Sequence, residues 1–171
     1  MSDKPEPIKK VSIICAQGSL EGVYPALIMA NGARMEGIEA SIFFTFFGLN
    51  AVNKSTMNKL KVATVGNPAM NMAMPMLKLP ITMPFPTLMG AIPGVSNFAS
   101  WMMKNEMEKL DVPPVDEFLE MISDAGGELY ACKLAMDMFK LTKEDLCDQI
   151  SDVLTVGEFY EKSAGASIIF I

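Results

Sequence analysis

Two short runs of β-branched and aromatic residues, separated by one amphipathic segment, constrain the fold of this chain most strongly. The first run, residues 11–16, stops at Gly18 in the way a buried strand does. Residues 21–35 then place apolar side chains at helical spacing, and Gly37 occupies the position of a C-terminal glycine cap. Residues 38–47 form the second apolar run. The first 47 residues therefore predict a strand, a helix and a second strand.

The same alternation returns in the second half of the chain. Its predicted elements are, in order, a helix over 114–125, a strand over 129–132, a helix over 134–139, a short capped helix from Thr142, a strand over 150–154, a helix over 156–164 and a strand over 166–171. Strands that alternate with helices form a mostly parallel sheet covered on both faces. We therefore predict a three-layer α/β fold of about five mostly parallel strands, with a binding site at the carboxyl ends of the strands.

A segment of about residues 53–111 interrupts this pattern and is predicted to be a Met/Pro-rich insertion in a single domain spanning residues 1–171. Residues 1–10 form a polar leader, and the insertion holds ten of the sixteen methionines. Residues 79–103 carry no charge, but prolines and glycines interrupt them, which argues against a membrane-spanning helix. Methionine suits adaptable apolar surfaces. We expect a subunit interface of a homo-oligomer here, with partner docking, peripheral membrane contact or ordinary core as the alternatives.

Charge and residue usage exclude several classes of function. With 14 Lys and Arg against 20 Asp and Glu, the chain lacks the basic surface of a nucleic-acid-binding protein. It has no histidine, which excludes Ser-His and Cys-His catalysis and the commonest zinc ligand. Three dispersed cysteines do not form a metal-binding pattern, and Gly18-Ser19 matches no nucleotide-binding motif. We therefore expect no metal and no cofactor. The polar leader lacks the apolar core of a secretory signal, which predicts a cytoplasmic protein with reduced thiols.

Cys132 is the principal candidate for chemistry. It ends a predicted strand and directly precedes Lys133 and a predicted helix. Backbone N–H groups at a helix start and a neighbouring ammonium group both favour thiolate, the nucleophilic form of cysteine. Such a thiolate could accept and pass on sulfane sulfur as a persulfide. Free cysteine is also often buried as a small apolar residue, so the residues alone leave both interpretations open.

The other two cysteines are weaker candidates. Cys15 lies in the first predicted strand and is a second candidate thiol if that strand neighbours the strand of Cys132. Otherwise it is simply packed in its strand. Cys147 lies among acidic residues that disfavour thiolate, so we expect it to be structural.

Polar residues at the end of the second predicted strand are candidates for a binding pocket. Thr45, Gly48 and Asn50 could bind a small anion at the rim of the site, together with Lys133. Glycine and asparagine are also typical turn residues, so a purely structural role is the alternative.

Several segments of the chain resemble the DsrE/DsrF/DsrH-like family, in particular its subgroup with a methionine-rich insertion. The segments that carry the resemblance are residues 30–33, 43–50, 126–137 and 159–171. The resemblance implies a small α/β domain that forms homo- or hetero-oligomers and relays sulfur on a cysteine at the end of the third core strand. Cys132 matches that cysteine. Some members carry a further reactive cysteine shortly afterwards, whereas the next thiol here is the distant Cys147.

These observations predict a sulfur carrier, or a sulfurtransferase, that relays sulfane sulfur as a persulfide on Cys132. Its partners would be sulfur donor and acceptor proteins or small thiols. The alternative is a non-catalytic oligomeric module that docks on a membrane or enzyme partner through the Met-rich insertion. A flavodoxin-like cofactor-binding protein is a third interpretation, which follows from the fold class alone.

Overall fold

The computed structural model describes residues 7–65, 71–73, 82–84 and 92–171. These residues form two compact units. The first unit combines the residues up to Leu60 with Pro113–Ile171, and the second unit is Lys61–Val112. The first six residues of the predicted leader lie outside the described residues. So does much of the predicted Met/Pro-rich insertion, namely residues 66–70, 74–81 and 85–91.

The first unit alternates strands and helices throughout. Its elements are β1 (Lys10–Cys15), α1 (Leu20–Met35), β2 (Glu39–Phe44), 3-10 helices at Phe46–Ala51 and Met57–Lys59, α3 (Val115–Asp124), β5 (Glu128–Cys132), α4 (Lys133–Phe139), a 3-10 helix at Lys143–Asp145, β6 (Asp152–Leu154), α5 (Val156–Lys162) and β7 (Ser167–Phe170). Gly37 follows α1 with a positive φ of 73°, which glycine adopts without strain.

Five of these strands form one parallel sheet in the order β6-β5-β2-β1-β7. Helices α1 and α3 pack together through an edge-to-face contact between Tyr24 and Phe118. On the opposite face of the sheet, Phe159 of α5 stacks on Phe43 of β2 with ring centroids 4.5 Å apart. The predicted three-layer α/β fold with five parallel strands is confirmed.

The second predicted strand ends earlier than the sequence pattern suggests. It was expected to run to residue 47, but β2 ends at Phe44 and the chain turns into the 3-10 helix Phe46–Ala51. Phe46 adopts a positive φ of 45°, which no strand residue has. The Thr45 N–H donates to the Cys15 carbonyl (3.0 Å) and the Gly48 N–H to the Ala16 carbonyl (3.1 Å), so the turn is fastened to the end of β1. Tertiary hydrogen bonds therefore override the apolar pattern.

The second unit contains an antiparallel pair, β3 (Asn71–Ala73) with β4 (Thr82–Pro84), and the helix α2 (Val95–Lys109). The buried Ser100 hydroxyl of α2 accepts a hydrogen bond from the Val62 N–H at 2.9 Å. Phe98 and Trp101 are exposed on α2. Among the described helices of both units, none is long and apolar enough to span a membrane. Peripheral membrane contact stays a prediction.

The close packing of Gly48 against β1 gives a stability prediction. A Cβ atom at Gly48 would overlap the carbonyl oxygen of Cys15, whereas one at Gly32 in α1 meets no atom within 4 Å. Gly48→Ala should lower the free energy of unfolding by about 1–3 kcal/mol through overpacking. Gly32→Ala, the matched control, should raise it by about 0.5–1 kcal/mol because alanine favours the helix. Urea denaturation measures both, and equal effects of the two substitutions would contradict the packing argument.

Candidate functional site

The register of the parallel sheet decides which side chains share a face near the carboxyl ends of the strands. Ile14 of β1 pairs with Phe43 of β2, and Phe43 pairs with Tyr130 of β5. Paired residues in adjacent parallel strands point to the same face, and side chains alternate along each strand. Cys132, two residues beyond Tyr130, therefore shares this face with Ile14 and Phe43.

A cavity of about 220 Å³ lies on this face, beside Cys132. Its described lining residues come from the ends of β1, β2 and β5, from the turn after β2 and from helices α4 and α5: Ile14, Phe43, Thr45, Phe46, Cys132, Leu134, Ala135, Met138, Val156, Phe159 and Tyr160. None of these described residues carries a charge. The only side-chain hydroxyls among them belong to Thr45 and Tyr160.

Cys132 itself is only 4% exposed and forms the N-terminal cap position of α4, with an extended backbone conformation. The first N–H groups of a helix have no partner within the helix, and Cys132 directly precedes those of α4. Cys132 is a free thiol, as are Cys15 and Cys147. The structure therefore places one thiol at a helix start, at a strand end and on a cavity wall.

The beginning of α5 is held in place by a reciprocal capping box. The Glu158 carboxylate accepts hydrogen bonds from the Thr155 N–H and hydroxyl, each at 2.7 Å, and the Glu158 N–H donates to the Thr155 hydroxyl oxygen. These bonds to Thr155 lower the pKa of Glu158, and the nearby ammonium of Lys133 contributes to the same shift. Lys133 is exposed and does not line the cavity. Its charge faces the start of α5 instead.

The three pocket candidates after β2 are placed differently from one another. Thr45 lines the cavity together with Cys132. Gly48 is packed against the backbone of Cys15, and Asn50 lies with its side-chain nitrogen near Gly18. Neither Gly48 nor Asn50 is among the described residues that line the cavity. The structure thus brings Thr45, but not the other two, to the thiol.

The expected approach of Cys15 to Cys132 is not found, because its premise is wrong. Strand β2 lies between β1 and β5, so the two cysteines are not on neighbouring strands. Cys15 pairs with Phe44 and Phe44 with Ala131, which places Cys15 on the opposite face of the sheet from Cys132. Its sulfur lies 4.0 Å from the carbonyl oxygen of Gly22 in α1. Burial raises the pKa of the Cys15 thiol to about 12.

Cys147 lies apart from the cavity beside Cys132. It lines another cavity of about 330 Å³ whose rim carries an ion pair between Lys54 and Asp148 at 2.7 Å. Burial is the main cause that raises the pKa of Cys147, and Asp148 adds to it. Its N–H donates to the carbonyl of Val52, which ties the segment before β6 to the turn after β2. Within the described part of the chain, no three acidic or cysteine side chains are grouped closely enough to hold a metal ion.

Sequence reasoning missed most of the cavity wall. Alternation of side chains along the strands would predict that Phe43 and Ile14 share a face with Cys132. That prediction requires the strand order, which the sequence did not provide. Leu134 and Met138 are one helical turn apart on α4, which is the spacing of a shared face. Tyr160 and Val156 are related in the same way on α5. Helical spacing identifies such pairs, whereas tertiary structure alone shows that the two pairs face each other across a cavity.

The sequence of this chain is similar to a family of known proteins. Residues 7–171 match the model of the DsrE/DsrF/DrsH-like family. The chain is 36% identical over 142 residues to the sulfur carrier protein DsrE2 of Allochromatium vinosum, covering 83% of this chain and 85% of that protein. It is 30% identical over 172 residues to the uncharacterized protein YrkE of Bacillus subtilis, covering 97% of this chain and 99% of that protein.

Two solved structures share the fold at low sequence identity. The protein MTH1491 from Methanobacterium thermoautotrophicum, of unknown function, superposes with a TM-score of 0.53 at 11% identity, covering 95% of this chain and 98% of that one. The ychN protein from E. coli gives a TM-score of 0.53 at 14% identity, covering 96% and 100%. At these sequence identities, both structural similarities support the fold alone.

The buried thiol of Cys15 predicts a specific alkaline instability. Its pKa rises from 9.0 in the unfolded chain to about 12 in the fold. Folding therefore favours the protonated thiol, and that contribution is complete below pH 9 and is lost as the pH rises towards 12. Between about pH 8 and about pH 10, wild type should lose about 1 kcal/mol more stability than Cys15→Ala.

Urea denaturation at the two pH values measures this difference. Ser167→Ala, an exposed substitution that removes no thiol, is the control and should follow wild type. An identical pH dependence of Cys15→Ala and wild type would show that Cys15 does not titrate with a raised pKa.

Proposed function

Because this chain belongs to the DsrE/DsrF/DrsH-like family, we propose that it is a sulfur carrier that holds sulfane sulfur on Cys132 as a persulfide. The observation that carries the proposal is the placement of Cys132, which precedes α4 at the end of β5 and lines the cavity of about 220 Å³. The similarity to a protein named as a sulfur carrier supports the cargo. Its partners are a sulfur donor and an acceptor, each a protein or a small thiol.

Cys132 is favoured over the other two cysteines by its surroundings. Cys15 lies under α1 on the far face of the sheet, and burial keeps its thiol protonated by raising its pKa to about 12. Burial likewise raises the pKa of Cys147, which lines a different cavity. A thiol that attacks sulfane sulfur must reach the thiolate form and meet its substrate. Cys132 adjoins open space on a face with exposed apolar side chains.

The proposed cycle consists of two thiol exchange reactions. The Cys132 thiolate attacks a sulfane sulfur of the donor, a new S–S bond forms, and the donor leaves with the electron pair of the broken S–S bond. An acceptor thiolate then attacks the outer sulfur, and the electron pair of the Cys132 S–S bond returns to Cys132. Neither step needs a histidine, a metal or an external oxidant. The cycle requires a reduced thiol, with which the predicted cytoplasmic location is consistent.

Intact-mass measurement after incubation with a sulfane donor tests this function. Wild type should gain sulfur, and dithiothreitol should remove it. Cys132→Ser should abolish the gain, while Cys15→Ser and Cys147→Ser should retain it. A gain of sulfur mass that persists in Cys132→Ser, or no gain in wild type, would contradict the proposal.

We also propose that the protein forms a homo-oligomer through the edge of its sheet at β7. Among the described residues, no strand pairs with the outer side of β7. Phe170 on this strand is 72% exposed and Ile168 is 49% exposed. An exposed apolar edge strand is a ready site for pairing with another chain. Phe170 pairs with Ile14, which lines the cavity beside Cys132, so a second copy at β7 would border the proposed site.

Sedimentation velocity of wild type and Phe170→Asp tests the assembly. Wild type should sediment as an oligomer, and Phe170→Asp should shift to a smaller species at the same concentration, because burying Phe170 is worth about 1.5–3 kcal/mol per copy. Met35→Asp is the matched control, since Met35 is an exposed apolar residue on α1, away from β7. A monomeric wild type, or an unchanged Phe170→Asp, would refute this interface.

A further inference from the structure

The cavity beside Cys132 is large for a single atom of cargo. Its volume is about 220 Å³. A sulfur atom occupies roughly the volume of a water molecule in the liquid, about 30 Å³. One outer sulfur would therefore leave most of the cavity empty. Ligand pockets for drug-sized molecules start at about 300 Å³, so this cavity is smaller than a typical pocket of that kind.

The walls of the cavity favour an uncharged and polarizable occupant. Aromatic rings of Phe43 and Phe159 and the thioether of Met138 are among its lining groups, and none of the described lining residues is charged. Any charged group among these walls would lose its hydration without gaining a cation, so the charged end of a ligand must lie where a hydroxyl or solvent reaches it. Sulfur makes favourable contacts with aromatic rings and with other polarizable groups. The walls therefore suit the uncharged inner atoms of a chain of sulfane sulfur.

We propose that Cys132 stores its cargo as a chain of several sulfane sulfur atoms derived from inorganic polysulfide, and that this chain occupies the cavity. The proposal rests on the sulfur-carrier function and specifies its substrate class and capacity. The inner sulfur atoms of such a chain are uncharged and meet the apolar walls. The outermost sulfur is anionic, and the hydroxyls of Thr45 and Tyr160 are the side-chain donors that the described walls offer to it.

Loading and unloading balance without an added oxidant or reductant. The Cys132 thiolate attacks an inner sulfur of the polysulfide, so that one S–S bond forms and one breaks. The departing hydrosulfide or shorter polysulfide takes the electron pair and a proton from water, and the transferred sulfur atoms remain on Cys132 with a terminal negative charge. Each acceptor thiolate then attacks the outermost sulfur, and the electron pair of the broken bond stays on the shortened chain. One loading therefore serves several transfers.

The number of sulfur atoms on Cys132 tests the proposal. Wild type is incubated with inorganic polysulfide, desalted and weighed intact beside Cys132→Ser. The Cys132-dependent adduct should contain two or more sulfur atoms. In Ala135→Leu, a larger side chain is placed on the cavity wall, since Ala135 is a buried lining residue of α4. That variant should carry a single sulfur. Ala164→Leu makes the same substitution at an exposed position outside the cavity and should load like wild type.

The outcomes separate this proposal from the sulfur-carrier function. A wild-type adduct limited to one sulfur, or an Ala135→Leu adduct as long as that of wild type, would contradict storage as a chain of several sulfur atoms. Either result would leave the sulfur-carrier function intact. No Cys132-dependent adduct in wild type would overturn both. If circular dichroism shows that Ala135→Leu does not fold, Met138→Trp replaces it, because Met138 is a half-exposed residue of the same wall and tolerates a larger side chain. A Met138→Trp adduct shorter than that of wild type then supports the proposal, and one of equal length contradicts it.

Discussion

The in-register pairing of β1, β2 and β5 is the constraint on which the candidate site depends. Each strand supplies side chains to alternate faces, so the pairing of Ile14 with Phe43 and of Phe43 with Tyr130 determines that Cys132 shares their face. A shift of one residue in any of these pairs would turn the participating side chains to the other face. The same pairing directs Cys15 towards α1. One register thus makes one cysteine part of a cavity and the other part of the core.

The turn after β2 secures this arrangement at the carboxyl ends of the strands. Hydrogen bonds from the Thr45 and Gly48 N–H groups to the carbonyls of Cys15 and Ala16 fasten the turn to β1. Only glycine fits at position 48, because a Cβ there would overlap the Cys15 carbonyl. The turn then carries Phe46 to the cavity, and Phe47 contacts Phe139 of α4 at a ring distance of 5.7 Å. Backbone packing at Gly48 therefore supports a wall that Gly48 itself does not line.

Local sequence was sufficient to predict the elements of the sheet, but not the way in which they come together. Short apolar runs between helical segments predicted all five strands, because a strand of a parallel sheet needs apolar side chains against the helices that cover it. The strand order is set by packing between distant segments, and it was not predictable: β2 separates Cys15 from Cys132. The positive φ of Phe46 was also not predictable from the sequence. Contacts with β1 impose this angle on a residue type that favours strands.

Cys132 was predicted as the reactive thiol from its position at a strand end together with the family resemblance, and the proposed kind of cargo rests on the cavity beside it. A thiol at a helix start can react with many sulfur compounds, so reactivity alone does not select among them. The proposed preference comes from the apolar walls, because the inner atoms of a sulfane chain are uncharged and give up little hydration when they enter. In the proposed carrier, the opposing faces of α4 and α5 determine which cargo fits, and Cys132 forms the bond to it. Under the proposed function, the cavity wall and the thiol are different residues, so substitutions in the wall should alter what is carried without removing Cys132.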